Sequence, residues 1–146
     1  MDSILYIDLK QAVSIHEKTI KYSGGGICAS YDLGKLDSVL HNIQNDVYYP
    51  TFSDKLTHLF FCICKFHCFV DGNKRLAIAL SAQFLLQNGY LSIASSFFSI
   101  MENISYYVAA GNIDKDLLHK IIDSLLTNTF NTDEVLKLEI YNAINI

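Results

Sequence analysis

The run TFSDKLTHLFFCICKFHCFVDGNKRLAIALSAQFLLQNG, residues 51–89, decides the fold. Its two arms, 51–66 and 76–86, carry apolar side chains on nearly every face, as helices buried all round do. Asn88-Gly89 supplies a C-cap pair that ends the second arm. Between the arms lies a polar knot, His67-Cys68-Phe69-Val70-Asp71-Gly72-Asn73-Lys74-Arg75. A charged turn between two core helices places the chemistry at the N-terminus of the second helix.

The flanking chain extends the helical reading. Leu9, Ala12, Val13 and Ile20 sketch a first helix, stopped by Ser23-Gly24-Gly25-Gly26. Leu36, Val39, Leu40 and Ile43 have the i, i+3, i+4, i+7 spacing of an amphipathic helix. Around Val47-Tyr48-Tyr49-Pro50-Thr51 the pattern turns extended, and the proline biases Tyr49 away from helix. Downstream, Phe97, Met101, Ile104 and Val108 define a helix stopped at Gly111. Another starts near Asp114 and uses Leu117, Leu118, Ile121, Ile122 and Leu125. A weaker one is predicted over 132–143. Six or seven helices with short loops give an all-α domain.

Composition narrows the function classes. A chain of 146 residues is large enough for one domain with a real core, and half of it is hydrophobic, with one Pro and no Trp. The net charge of −4 gives no footprint for nucleic acid. The first residues, Met1-Asp2-Ser3-Ile4, lack a basic leader region, and the apolar run 59–64 is far short of the ~20 residues that cross a bilayer. Of the four cysteines, Cys62, Cys64 and Cys68 fall inside one apolar segment and Cys28 stands apart, so reduced thiols in a cytosolic protein are expected.

The knot has the parts that phosphate chemistry needs. Gly72 allows a tight turn around a ligand. Asp71 or Asn73 is placed to cap the next helix, whose free N–H groups and dipole make an anion site. Lys74 and Arg75 oppose that dipole by roughly 0.3–1 kcal/mol each, a penalty that a bound polyphosphate reverses. The alternative is two solvated charges on an exposed turn. His67 reads either as a satisfied core histidine or as a general base beside a carboxylate. Phe69 reads as a structural plug. A zinc site from His58, Cys62, Cys64, His67 and Cys68 is the rival, but structural zinc draws on separated knuckles and free cysteine is commonly buried.

Residues 67–75 resemble the signature of the Fic/Doc family, H-x-F-x-D/E-G-N-G/K-R, at every specified position. The resemblance continues in Ile15-His16-Glu17 with Ser23-Gly24-Gly25-Gly26, in residues 33–40, in Phe84-Leu85-Leu86-Gln87-Asn88-Gly89-Tyr90 and in Gly111-Asn112-Ile113-Asp114. It spans about residues 5–126 and implies a catalytic domain over 1–126, with 127–146 a C-terminal tail, helical in part and unassigned.

By that resemblance, His67 is the base that deprotonates a hydroxyl on a target protein and Asp71 binds Mg²⁺. Gly72, Asn73 and Arg75 hold the phosphates of ATP. Tyr48, Tyr49 and Thr51 belong to a flap that docks target backbone by strand pairing. Lys74 decides the branch. AMP-transferring members usually have glycine there and a later arginine, whereas Leu76, Ala77, Ile78 and Ala79 follow here. Lysine resembles the Doc toxin branch, which implies a catalytic Lys74 and γ-phosphate transfer to a threonine of elongation factor Tu, blocking translation. Leu76 departs from the threonine common in that branch. No glutamate here has Ser or Thr four residues before it, so the family's self-inhibitory helix motif is missing. That implies a separate antitoxin. An AMP or other nucleotidyl transferase and an inactive helical interaction module are the alternatives.

Overall fold

The structure, a computed structural model, describes residues 3–27, 29–30 and 32–145. Cys28 therefore lies outside the described residues. Seven α-helices are present among them: α1 (Leu9–Tyr22), α2 (Leu33–Asn42), α3 (Phe52–Lys65), α4 (Asn73–Gln87), α5 (Leu91–Ala110), α6 (Lys115–Leu126) and α7 (Glu134–Ile144), with a 3₁₀ turn at Phe130–Thr132. The protein is all-α, as the periodicity predicts.

α3 and α4 are the centre. α4 packs against α1, α3 and α5, while α3 also touches α2, α5 and α6. Leu59, Phe60, Ile63, Leu80, Phe84, Met101 and Ile121 fill the space between them. Phe52 stacks on Phe84 at 4.8 Å, and Phe60 meets Phe97 edge-on at 6.0 Å between ring centroids. No described helix is long and apolar enough to cross a membrane.

Local chemistry sets most of the ends. Asp8, Asp32, Thr51, Asp114 and Asp133 each accept a hydrogen bond from an amide of the first turn that follows. Thr51 and Asp54 form a reciprocal capping box. Gly89 and Gly111 take left-handed φ of 92° and 91° at the ends of α4 and α5.

Two local expectations need correction. α5 begins at Leu91, six residues before the predicted Phe97. Ser92, Ser95, Ser96 and Ser99 hide the helix signal, because they are exposed and three of their hydroxyls bond back to carbonyls of the same helix. The predicted extended segment at 47–51 is a turn. The Asn45 side chain accepts from the amides of Val47 and Tyr48, and its carbonyl accepts from Tyr49 N–H at 2.9 Å. An Asx turn over two amides, backed by the main-chain bond from Tyr49, outweighs the proline bias, which acts on Tyr49 alone.

The chain beyond Leu126 packs back onto the body. Leu136 is buried, and Lys120 of α6 pairs with Glu139 of α7 at 3.1 Å.

Candidate active site

α3 stops at Lys65, and the chain from Phe66 to Gly72 is a loop that α4 resumes at Asn73. Four sets of contacts fix this loop. An isolated antiparallel bridge pairs Phe69 with Ser30. Beside it, Val70 N–H donates to Ala29 O at 3.0 Å and Asp32 N–H to Cys68 O at 3.1 Å. The Asn73 amide turns back and clamps Phe69, accepting from its N–H at 3.1 Å and donating to its carbonyl at 2.9 Å. Phe69 itself is buried and stacks on His16 of α1 at 3.6 Å. Finally, the Asp71 carbonyl accepts from His16 Nε2 at 2.8 Å, and its carboxylate Oδ2 accepts from Ile27 N–H at 3.2 Å.

Gly72 is the hinge of the turn. Its φ of 81° lies in the left-handed region, and a Cβ there would come within 2.8 Å of Ile20 Cδ1. Only glycine fits both the conformation and the space.

Neither Asp71 nor Asn73 caps α4, which corrects the sequence-based expectation. The N-cap is Gly72, with no side-chain hydrogen bond, and no acidic residue stands in the first turn. The intrahelical ladder starts with Leu76 N–H to Gly72 O at 2.8 Å. The amides of residues 73–75 have no partner among the described residues. They point out of the helix start beside Lys74 and Arg75, both exposed and without an ion pair among the described residues. Orphan amides, the positive end of a helix and two cations form an anion seat. Asp71 stands half-buried at its edge, and its Oδ1 makes no hydrogen bond among the described residues. His67 is exposed at the mouth of the loop.

His67, Asp71, Gly72, Lys74 and Arg75 thus share one short stretch around the start of α4. Asn73 belongs to it too, but its amide is occupied by the Phe69 backbone. No hydrogen bond joins Tyr48, Tyr49 or Thr51 to residues 67–75 among the described residues. Thr51 is engaged in capping α3. Tyr48 is exposed, whereas Tyr49 tilts over His58 at 4.4 Å and hydrogen-bonds its Nε2 at 3.2 Å. Lys115 donates to the other ring nitrogen, Nδ1, at 2.8 Å. Burial first, then the Lys115 charge, push the His58 pKa down to about 4.

The thiols behave as core groups. Cys62, Cys64 and Cys68 are buried, and burial raises all three, Cys62 to about 11 and Cys64 to about 12. This burial disfavours the thiolate, the form that binds metals. Among the described residues no three of His, Cys, Asp and Glu converge on a common point.

A groove of about 650 Å³ runs from Arg75 between α1, α4 and α5, with Ile15, Tyr22, Ile78 and Phe98 in its walls and Glu102 at its rim. Sequence reasoning did not find it, nor the contributions of His16, Ile20 and Ile27 to the loop. His16 did leave a signal: it falls on the buried stripe with Ala12 and Ile20, where a polar residue needs a partner.

The family profile described as Fic/DOC matches residues 6–85, which include α1 to α3, the loop and most of α4. The protein called Toxin Doc from Mycolicibacterium smegmatis is 34% identical over 96 residues, covering 63% of this chain and 74% of the relative.

Proposed function

The chain belongs to the Fic/DOC family, and we propose that it is a Doc-type toxin that transfers the γ-phosphate of ATP to a hydroxyl of a target protein. One observation carries the reading. Among the described residues the first turn of α4 has no side-chain cap and presents free amides with two unpaired cations, beside a carboxylate with a free oxygen. Negative charge is what that seat stabilises, and phosphoryl transfer depends on such stabilisation and on positioning.

The roles follow from placement. His67, exposed at the mouth, takes the proton of the incoming hydroxyl. Lys74 neutralises charge on the transferred group, and Arg75 with the amides of residues 73–75 holds the phosphate chain. Asp71 suits Mg²⁺, which takes one or two carboxylates and fills its remaining positions with water and phosphate oxygens. Bound there, the ion would neutralise phosphate charge. Asn73 acts through the loop, by holding Phe69, and not by direct contact with phosphate.

Two partners belong to this reading. The target is elongation factor Tu, by resemblance. The second is an antitoxin, for which the apolar groove beside Arg75 offers a seat to an amphipathic segment carrying an acidic residue.

The test is transfer from Mg²⁺–ATP labelled on the γ- or the α-phosphate, with bacterial lysate and added elongation factor Tu as acceptor. Label from γ alone is expected, and His67→Ala should abolish it. Label from α would overturn the kinase reading in favour of AMP transfer. No label from either, with no binding of Mg²⁺–ATP, would favour an interaction module.

A further inference from the structure

His16 is fully buried at 0% exposure, yet among the described residues only one of its ring nitrogens has a partner. Nε2 lies 2.8 Å from the Asp71 carbonyl, which can only accept, so Nε2 carries the hydrogen. Nδ1 is then a bare lone pair, buried with no hydrogen-bond partner among the described residues. An apolar residue would fill this part of the core without that orphaned nitrogen. What a leucine or phenylalanine could not supply is a donor to the Asp71 carbonyl.

The same ring lies flat against Phe69, 3.6 Å away and 13° from parallel. One turn further along α1, Ile20 reaches under Gly72, where a Cβ would be 2.8 Å from its Cδ1. Positions 16 and 20 are four apart and so face the same way on a helix. Together they touch Phe69, Asp71 and Gly72, the residues that lead into the anion seat.

We infer that His16 is a positioning residue of this site. Its Nε2–H fixes the Asp71–Gly72 peptide, which in turn aims the Asp71 carboxylate and the first free amides of α4. The inference rests on the transfer reading for its consequence in activity, but its structural half stands without it.

Two variants separate donor from ring. His16→Phe keeps the flat ring on Phe69 and removes the donor. His16→Gln loses the ring but carries an amide N–H to nearly the same place as Nε2. Hydrogen exchange is followed without nucleotide across residues 67–76, with α6 as the internal control. His16→Phe should speed exchange in 67–76 about 10-fold or more and leave α6 unchanged, and His16→Gln should restore most of the protection. Calorimetry should show Mg²⁺–ATP affinity reduced about 10–100-fold in His16→Phe, the usual effect of losing a partner behind a ligand, with His16→Gln much closer to the parent.

Wild-type exchange in His16→Phe overturns the inference, as does a His16→Gln variant more damaged than His16→Phe. If the parent binds no Mg²⁺–ATP, the transfer reading fails while the exchange result still judges His16. Should both variants unfold, ¹⁵N NMR of the parent decides. The inference requires the Nε2–H tautomer with a slowly exchanging proton, and the Nδ1–H tautomer overturns it.

Discussion

Gly72→Ala isolates the turn on which the site depends. At φ of 81° a Cβ sits in the left-handed region, which costs an L-residue about 1–2 kcal/mol. The added methyl also meets Ile20 Cδ1 at 2.8 Å. That atom is the free end of its side chain but is packed in the interior, so the clash is relieved by an off-rotamer χ2 at about 0.5–1.5 kcal/mol. The sum is roughly 1.5–3.5 kcal/mol, which lowers Tm by roughly 5–10 °C in a chain of this size.

The two parts separate in a double-mutant cycle read by urea unfolding at 25 °C. Ile20→Val deletes Cδ1 and by itself costs about 0.5–1.5 kcal/mol. In the double variant the steric part disappears while the backbone part remains. The two changes should therefore be less than additive, by about 0.5–1.5 kcal/mol. Additivity within about 0.3–0.5 kcal/mol would refute the contact between Ile20 and the turn. A Gly72→Ala variant as stable as the parent would refute the left-handed turn itself.

Asn73→Ala removes both arms of the clamp on Phe69 and should cost about 1–3 kcal/mol by the same unfolding assay; a change below about 0.5 kcal/mol would show that the clamp contributes nothing. His58 should titrate near pH 4 by NMR, and Lys115→Met should move its pKa upward; a value near 6.5 in the parent would contradict the buried geometry. Because its folded pKa is depressed, the stability that neutral His58 contributes is complete above about pH 6.5 and is lost as pH falls towards 4. Cys62, Cys64 and Cys68 should resist thiol reagents at pH 8 in the native protein and react after unfolding, as peptide mapping would show; fast native labelling would contradict their burial.

Legibility in the sequence followed the range of the interactions. α3 and α4 were readable because every face is apolar, α1 and α2 because their apolar residues recur at helical spacing, and α6 because Asp114 precedes such a stripe. α5 was read short because its exposed serines satisfy themselves within the helix and break the apolar period. The turn at 45–49 was misread because an asparagine side chain organises it, a contact that no periodicity records. The nine residues of the knot announced phosphate chemistry, but their internal division of labour was invisible. Asn73 looks like a cap or a phosphate ligand by position, and only the fold shows its amide spent on Phe69.

That division has a consequence for how the motif works. A nine-residue stretch with this composition has no reason to hold a left-handed turn and an uncapped helix start by itself, since both are unfavourable locally. Here the restraint arrives from residues 36 to 55 positions earlier: His16 on the Asp71 carbonyl, Ile20 under Gly72, Ile27 on the Asp71 carboxylate, and Ala29, Ser30 and Asp32 along residues 68–70. The loop is therefore organised by α1 and the segment that follows it, and the first turn of α4 stays uncapped because its N-cap is Gly72, which has no side chain. Loosening α1 should release the site before it unfolds the core, since α1 meets α4 across a smaller interface than α3 and α5 do. Hydrogen exchange at rising urea should show residues 67–76 opening together with α1 and at lower free energy than α3. Simultaneous opening of all three would mean that site and core form a single cooperative unit.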